Sequence, residues 1–342
     1  MNKILYLYSE LMDYSIGTIE VLKEKNEILV IHWDKNKKSK YEKDQLDNVK
    51  FLPRSKFKSI RSIFEAINNF NPDLLVISGW MDLPYLIAAY RYKRNNNIII
   101  VAGIDDQWNG SVRQYLGSIF IRLFRPFDAF WVTGSRQYEY AKRFGGNNNN
   151  IVSDFYSART SKWKPIKAQA RREFIYVGRL DRVKNISMLI ETFIKFTEIS
   201  KFSWGLTIIG DGSEKDNLDF RHEKISYLGF LQPDDLINNI QKGGVFVLPS
   251  NKEAWGVVVH EMATVSMPLL LSDVVGAESP FLIHKYNGYR FKNKSVNSLL
   301  DGFNYFDALT DEQLITHGEN SYELSKRINS HTSAANLESL IE

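Results

Sequence analysis

The sequence contains no cysteine among its 342 residues, which excludes disulfide bonds, thiolate catalysis and cysteine-ligated metals. It also lacks any apolar run near the roughly 18 residues that a membrane-spanning helix requires. The apolar stretch at the N-terminus ends at Ser9 after five residues, which is too short for the core of a signal peptide. From these absences we expect a soluble, cytoplasmic protein.

Charge is distributed unevenly along the chain. Residues 1–160 carry 23 Lys+Arg against 17 Asp+Glu, whereas the remainder carries 21 against 23. A basic N-terminal half is consistent with binding to anionic lipid, nucleic acid or an acidic substrate. It is equally consistent with a solvated surface that binds none of these. No nucleic-acid-binding module is recognisable, so nucleic acid is not expected as a partner. The segments KFKSIRS (56–62) and RYKR (91–94) favour peripheral contact with anionic lipid at the inner face of the cell membrane.

Short apolar segments alternate with amphipathic segments throughout. The predicted strands are residues 3–8, 27–33, 74–78, 97–103, 128–134, 173–178, 205–210, 225–229, 245–250 and 268–272. The predicted helices include residues 16–24, 59–70, 83–94, 186–196, 234–243 and 257–266. Strands that are apolar throughout and alternate with helices imply parallel sheets with both faces covered. The two sets predict an α/β protein with two Rossmann-like, doubly wound domains.

The basic, polar segment 157–173 is the predicted domain boundary. We expect an N-terminal domain over residues 1–160, a C-terminal domain over 161–315, and a helical segment, 316–342, that crosses back to pack on the N-terminal domain. Ligands of open α/β sheets bind at the carboxyl ends of the strands. Two such domains facing across a cleft would hold a ligand there, so the residues just after each strand are the informative ones.

Two cations, Arg179 and Lys184, follow the strand at 173–178 and lie near the start of the next helix. Beside a helix N-terminus they would form a site for a diphosphate, although both could equally point to solvent. The next strand ends in Gly210-Asp211-Gly212, where glycine permits a tight reversal and Ser213 could cap the following helix.

Two glutamates, Glu253 and Glu261, flank the start of a helix predicted near Gly256. Eight residues of helix span up to about 12 Å. That exceeds the roughly 5–9.5 Å between two carboxylates that act on one bond. The spacing suits two anchor points on one elongated ligand whose hydroxyl groups donate to the carboxylates. The alternative is a solvated Glu253 and a Glu261 that pairs with a nearby Lys or Arg.

Four motifs in order carry a family resemblance over residues 173–292. They read YVGRLDRVKN, IIGDGS, YLGFLQPDDL and VFVLPSNKEAWGVVVHEMA. This series resembles the nucleotide-binding domain of the retaining glycosyltransferases of the GT-B fold, family 4 ("group 1"). In that family, the segment from Glu253 to Glu261 corresponds to a signature of two glutamates separated by seven residues.

The resemblance implies roles for matching positions. Arg179 and Lys184 would bind the diphosphate of the donor and stabilise its charge as it leaves, and Glu261 would bind the ribose hydroxyls. Glu253 would hold the donor sugar and phosphate together with neighbouring backbone amides. The remaining donor-binding positions are Gly212, Phe230, Leu231, Ala254, Trp255, Gly256 and Val257.

The N-terminal half departs from the family pattern. The family usually has a glycine-rich loop after the first strand, where this sequence has only Gly17, and often a histidine where this sequence has Asp105-Asp106. Some members use an aspartate there, and Asp105 is the better match. Such a carboxylate could orient the acceptor hydroxyl or stabilise positive charge on the sugar. The alternative is that Asp105 or Asp106 caps the helix around residues 111–117.

No metal or other cofactor is expected, because the Asp105-Asp106 pair lacks further clustered ligands and the six histidines show no ligand spacing. The resemblance implies a retaining transferase that moves a sugar from a nucleoside-diphosphate sugar to a hydroxyl acceptor. The expected acceptor is a glycan or lipid-linked saccharide in bacterial surface polysaccharide or lipid-linked oligosaccharide assembly. Two alternatives stay open: a nucleotide-sugar epimerase or other GT-B enzyme such as a phosphorylase, and a non-catalytic nucleotide-binding partner of another glycosyltransferase.

Overall fold

The structure is a computed structural model that describes residues 1–34, 46–159 and 161–341. It divides into two compact units, one formed by Met1–Arg159 with Ile328–Glu342 and the other by Thr160–Arg327. Residues 160 and 342, at which two of the predicted domain limits fall, lie outside the described residues.

The first unit is built on a parallel sheet. Its strands are β1 (Asn2–Tyr8), β2 (Asn26–His32), β3 (Val49–Pro53), β4 (Leu74–Ile77), β5 (Ile99–Ile104), β6 (Ala129–Val132) and β7 (Ile151–Val152). Their spatial order is β3-β2-β1-β4-β5-β6-β7, and all described pairs are parallel. The helices are α1 (Asp13–Leu22), α2 (Ile60–Phe70), α3 (Leu83–Lys93), α4 (Val112–Phe124) and α5 (Ser135–Arg143). The four residues of β4 are all buried, as expected for a central strand that is apolar throughout.

The second unit repeats this plan. Its strands are β8 (Glu173–Val177), β9 (Gly205–Ile209), β10 (Ile225–Gly229), β11 (Val245–Leu248), β12 (Leu269–Ser272) and β13 (Gly288–Phe291), in the spatial order β10-β9-β8-β11-β12-β13. The helices are α6 (Ile186–Thr197), α7 (Pro233–Ile240), α8 (Val257–Thr264), α9 (Glu278–Phe281), α10 (Val296–Ala308) and α11 (Asp311–Ser325). The strand order reverses between β8 and β11, and this is the point at which an open α/β sheet binds its ligand.

The last helix, α12 (Ser330–Glu338), returns to the first unit and packs on α1. Thr18 Oγ1 donates to Ser333 Oγ at 3.1 Å, and Asn26 Nδ2 donates to Glu338 Oε1 at 2.8 Å. The predicted return of a C-terminal helix is confirmed for α12. Helix α11 instead packs on α8 in the second unit, so the division follows Arg327 rather than residue 315.

Every predicted strand corresponds to a strand of the structure, and among the described residues the strands that were not predicted are β3, β7 and β13. All three are edge strands. An edge strand has a neighbour on one side only and is under less pressure to be apolar throughout. The segment VKFLP of β3 and the segment GYRF of β13 each contain a charged residue.

Candidate functional site

The two loops at the switch point of the second sheet meet through an ion pair. Lys184 follows β8 and Glu253 follows β11, and the Lys184 ammonium forms a salt bridge with Glu253 Oε2. The side chains are only 12% and 15% exposed. Ser250 Oγ also donates to Glu253 Oε2, at 3.2 Å, so the carboxylate is held from two sides.

Local backbone geometry brings Lys184 to this place. A single 3-10 turn, Arg182–Lys184, follows β8, and Asn185 adopts the left-handed conformation with φ 59° before α6 begins. Asn251 N–H donates to the carbonyl of Val183 at 2.7 Å, which joins the loop after β11 to the loop after β8. The pairing of Lys184 with Glu253 therefore follows from two strand-end loops that are hydrogen-bonded to each other.

Arg179 lies in the same loop as Lys184. It is exposed, and its guanidinium forms a salt bridge with Asp181. The hydroxyl of Tyr176, a buried residue of β8, donates to the Arg179 carbonyl at 2.7 Å. Burial, and next the charge of Glu253, raise the pKa of Tyr176 well above its usual value, so the hydroxyl keeps its proton. Tyr176 fixes the Arg179 loop, and sequence reasoning missed it because it reads as an ordinary aromatic core residue of a strand.

The Gly210-Asp211-Gly212 turn packs against that loop. A Cβ at position 212 would lie 2.6 Å from backbone atoms of Leu180, and one at position 210 would lie 1.8 Å from the carbonyl oxygen of Gly178. Glycine is therefore required by close backbone approach. The prediction that Ser213 caps a helix is wrong, because the turn leads into a 3-10 helix, Lys215–Asn217, whose N-cap residue is Glu214.

Helix α8 begins at Val257, directly after the loop that carries Glu253. Gly256 is the N-cap residue and has φ 92°, a conformation that favours glycine. Gly276 N–H donates to the Glu253 carbonyl at 3.1 Å, and Ala277 N–H donates to the Trp255 carbonyl at 2.9 Å. The loop is thus pinned to the segment after β12, with Trp255 buried in it and Ala254 beside it.

The first N–H groups of a helix have no acceptor within the helix and carry a partial positive charge. The structure thus brings together Lys184, Glu253 and the N-terminus of α8. Glu261 lies in the second turn of α8 and is half-buried. Phe230 and Leu231 follow β10, which is separated from β8 by β9, and both are half-buried.

In the first unit, Asp105 and Asp106 directly follow β5 and are exposed. Tyr156 Oη donates to Asp105 Oδ2 at 3.2 Å, and Gln137 Nε2 donates to the Asp105 carbonyl at 3.2 Å. Burial, and next the charge of Asp105, raise the pKa of Tyr156 well above its usual value. Asp105 is therefore held by a neutral phenol. Tyr156 lies just beyond β7, an edge strand of two residues, and no sequence pattern singled it out.

Asp106 accepts a hydrogen bond from the Gln107 N–H at 2.8 Å. The alternative in which Asp105 or Asp106 caps α4 is wrong, because Ser111 is the N-cap residue and its hydroxyl accepts from the Gln114 N–H. Both carboxylates stand instead in the loop between β5 and α4.

Within the described part of the chain, no group of three potential metal ligands is found. The helices of the same residues include none with the length and apolar character of a transmembrane span.

Comparison with known proteins agrees with this architecture. Residues 157–324 match the family described as "Glycosyl transferases group 1". A glycosyltransferase of Methanocaldococcus jannaschii that is itself uncharacterised is 31% identical over 135 residues, which is 37% of this chain and 34% of that protein. Glycogen synthase of Mycobacterium tuberculosis is 26% identical over 224 residues, 61% of this chain and 54% of that protein. The matched segments thus span about a third to a half of these relatives.

Solved structures match over nearly the whole chain. Sucrose-phosphate synthase of Thermosynechococcus elongatus has a TM-score of 0.75 at 14% identity and covers 99% of this chain and 98% of its own. HepE of Anabaena, in complex with UDP, has a TM-score of 0.75 at 13% identity and covers 99% of both chains. These likenesses show the fold. Residues 157–324 are thus similar to the group 1 glycosyl transferase family, and the chain has the GT-B fold.

Proposed function

We propose that the protein is a glycosyltransferase that moves a sugar from a nucleoside-diphosphate sugar to a hydroxyl acceptor, with retention at the anomeric carbon and without a metal ion. The observation that carries the proposal is the half-buried Lys184–Glu253 pair beside the N-terminus of α8, at the switch point of the second sheet. The family match of residues 157–324 and the UDP complex of HepE, which has the same fold, support it.

The charges at this place suit a diphosphate. Lys184 and the first N–H groups of α8 would bind the phosphate oxygens, and Arg179, exposed in the same loop, would add a second cation. As the bond between sugar and phosphate breaks, negative charge develops on the leaving diphosphate. Positive groups held in place before the reaction stabilise that charge without a cost of reorganisation. The two side chains supply the charge that a metal ion supplies in other transferases.

The two glutamates would hold the rest of the donor. Glu253 is fixed by Lys184 and Ser250 and would accept hydrogen bonds from sugar hydroxyls, while Glu261, farther along α8, would accept from the ribose. Phe230 and Leu231 would border the base. Asp105, held by Tyr156, would orient the acceptor hydroxyl or stabilise positive charge on the sugar, with Asp106 beside it. The acceptor would be a glycan or lipid-linked saccharide of bacterial surface polysaccharide assembly.

The decisive experiment incubates the purified protein with a panel of UDP-, GDP- and other nucleotide sugars and a panel of saccharide acceptors, with and without EDTA. We expect diphosphate release from one donor, unchanged by EDTA, and a product whose anomeric configuration equals that of the donor by NMR. Binding of a nucleoside diphosphate without release from any donor would favour a non-catalytic role. Inversion at the anomeric carbon, or loss of release with EDTA, would contradict the corresponding part of the proposal.

A further inference from the structure

Helix α4 of the first unit has its polarity reversed relative to an ordinary surface helix. Such a helix turns an apolar stripe toward the core and polar residues toward water. The buried residues of α4 are Gln114, Gly117, Ser118 and Ile121, of which only the last is a large apolar side chain. Its exposed side includes a set of large apolar residues: Val112, Tyr115, Leu116, Ile119, Phe120, Leu123 and Phe124.

The inward face is adapted to its small and polar residues, so the helix is not misplaced. Gln114 Oε1 accepts from the Asn109 N–H at 2.7 Å, and its Nε2 donates to the Gln107 carbonyl at 3.0 Å. The Trp80 ring packs directly on Gly117, since a Cβ there would lie 2.6 Å from the ring. These contacts fix the rotation of α4 about its axis and leave its apolar side facing outward.

The exposure is large for single residues of this kind. Leu116 is 63% exposed, Ile119 is 62% exposed and Leu123 is 73% exposed. Scattered exposed apolar residues are normal, but a contiguous apolar patch on one helix marks an interaction site. Met81, 56% exposed, extends the patch, because Arg113 of α4 donates to its sulfur at 3.0 Å.

The charge around this face is mainly positive, because its one neighbouring acidic residue among those that line the adjoining pocket, Glu139, is accompanied there by Lys142 and Arg143. Residues 107–127 contain Arg113, Arg122 and Arg125 and no Asp or Glu. All three arginines are exposed, and within the described residues none of them forms a salt bridge. The basic segments at 56–62 and 91–94 differ in this respect, because Arg61 pairs with Glu65 at 2.8 Å and Lys93 pairs with Asp128.

We propose that the outward face of α4 is a membrane-docking surface that inserts its apolar side chains among the headgroups of an anionic lipid bilayer. An interfacial helix combines a Leu- and Phe-rich face with flanking arginines, which is the pattern of α4. The arginines would bind the lipid phosphates, and each basic residue near an anionic surface adds to the attraction. A second copy of the chain fits less well, since a symmetric contact through α4 would bring its arginines together, and the neighbouring Glu139 is already paired with Lys142.

The first test measures partitioning of the full chain to phosphatidylcholine vesicles with and without phosphatidylglycerol by co-sedimentation. No sugar donor or acceptor is present, so the result is independent of the proposed transferase activity. We expect binding to vesicles that contain phosphatidylglycerol, weakened by salt. Leu116→Glu should reduce the partition coefficient on the order of tenfold or more, because it removes an inserted apolar side chain and adds a repelled charge. Arg122→Gln should weaken binding only to the anionic vesicles.

The matched control is Ile199→Glu in the second unit, since Ile199 is 60% exposed, close to Leu116. Circular dichroism checks that both variants fold. We expect both to fold because Leu116 and Ile199 are exposed and contribute little to the core. Equal loss of binding in Leu116→Glu and Ile199→Glu, or binding of the unmodified chain that ignores lipid charge and salt, would overturn the proposal.

The absence of cysteine allows a second test. A single Leu116→Cys substitution can be labelled with a polarity-sensitive fluorophore, and Ile199→Cys serves as control. The emission of the label at position 116 should shift to the blue on anionic vesicles, whereas that at position 199 should not change. A blue shift at position 116 without lipid, together with dimerisation in sedimentation, would show that a second copy covers this face and would overturn the lipid assignment.

Discussion

At the scale of single residues, the ion pair of Lys184 with Glu253 is the centre of the proposed donor-binding site in the second unit. The two residues are 69 positions apart, so spacing alone cannot pair them. The rule that ligand-binding residues follow strands identifies each of them separately. Their contact results from the adjacency of β8 and β11, which is a property of the sheet. Sequence reasoning missed Tyr176 and Ser250 because a buried tyrosine in an apolar strand, or a buried serine just after one, resembles an ordinary core residue.

Lys184→Met gives the sharpest residue-level prediction. The substitution keeps most of the side-chain volume and removes the charge that we assign to the leaving diphosphate. Removing one pre-positioned charge or donor to a transition state lowers kcat on the order of 10²–10³-fold. Initial-rate kinetics with the accepted donor would measure it.

The control for this substitution is Lys195→Met, at an exposed position of α6, the helix that follows Lys184. It should leave kcat within about twofold, because an exposed side chain away from the pair contributes little. Equal kcat values for the two variants would contradict the assignment of Lys184 to the diphosphate site.

At the scale of elements, α10 and α11 are joined by a buried histidine. His317 Nδ1 lies 2.8 Å from the Gln313 carbonyl, and its Nε2 lies 2.7 Å from the hydroxyl of Tyr305, which donates to the Lys285 carbonyl at 3.2 Å. Burial lowers the pKa of His317 below its ordinary value, although its hydrogen bonds to backbone carbonyls oppose the shift. The neutral ring is thus the form that the packing of these two helices selects.

A pH dependence of stability follows from His317. A histidine whose pKa is lower in the folded state stabilises the fold above its unfolded pKa of about 6.5, and this contribution is lost as the pH falls through the lower folded pKa. We expect the free energy of unfolding to decrease with acidification below about pH 6.5. In His317→Gln, whose amide does not titrate and can hydrogen-bond to Tyr305 in either direction, the decrease should be shallower. Urea denaturation across a pH series would measure it, and parallel curves for both proteins would exclude His317 as the cause.

Elements also show how far the sequence predicts this fold. Central strands were recognised because they are apolar throughout, whereas edge strands β3, β7 and β13 carry charges or are very short. Helix α4 could not be oriented from its pattern. A surface helix ordinarily turns its apolar residues toward the core, so the sequence predicts that the apolar face of α4 is buried. The contacts of Gln114 with Asn109 and of Gly117 with Trp80 show that the apolar face is exposed instead.

At the scale of the whole molecule, three distant parts of the chain meet at α1. Arg159 ends the N-terminal segment of the first unit, Met1–Arg159. It is buried and pairs with Asp13 at 3.0 Å and with Glu20. Gly17 lies between these partners in sequence, and a Cβ there would lie 3.0 Å from both Arg159 Cα and Ser330 Oγ. Helix α1, the end of the N-terminal segment at Arg159 and helix α12 are packed together here.

Arg159→Ala should therefore destabilise the protein strongly. Removing one partner of a buried ion pair leaves its carboxylates uncompensated and costs about 3–5 kcal/mol in free energy of unfolding. Arg61→Ala is the matched control, because Arg61 is 87% exposed and pairs with Glu65 in the same unit. That exposed pair is worth at most about 1 kcal/mol. Urea denaturation followed by circular dichroism compares the two, and similar losses would contradict the structural role of Arg159.

The return of α12 to α1 also has a consequence for the order of synthesis. A ribosome releases residues 1–159 first, yet the first unit lacks its final helix until residues 330–338 have emerged, after the whole second unit. Until then the α1 surface that α12 covers is open to chaperones and proteases. A chain that stops before α12, or an insertion that prevents α12 from docking, would leave the first unit incomplete even though the change lies beyond the second unit in sequence.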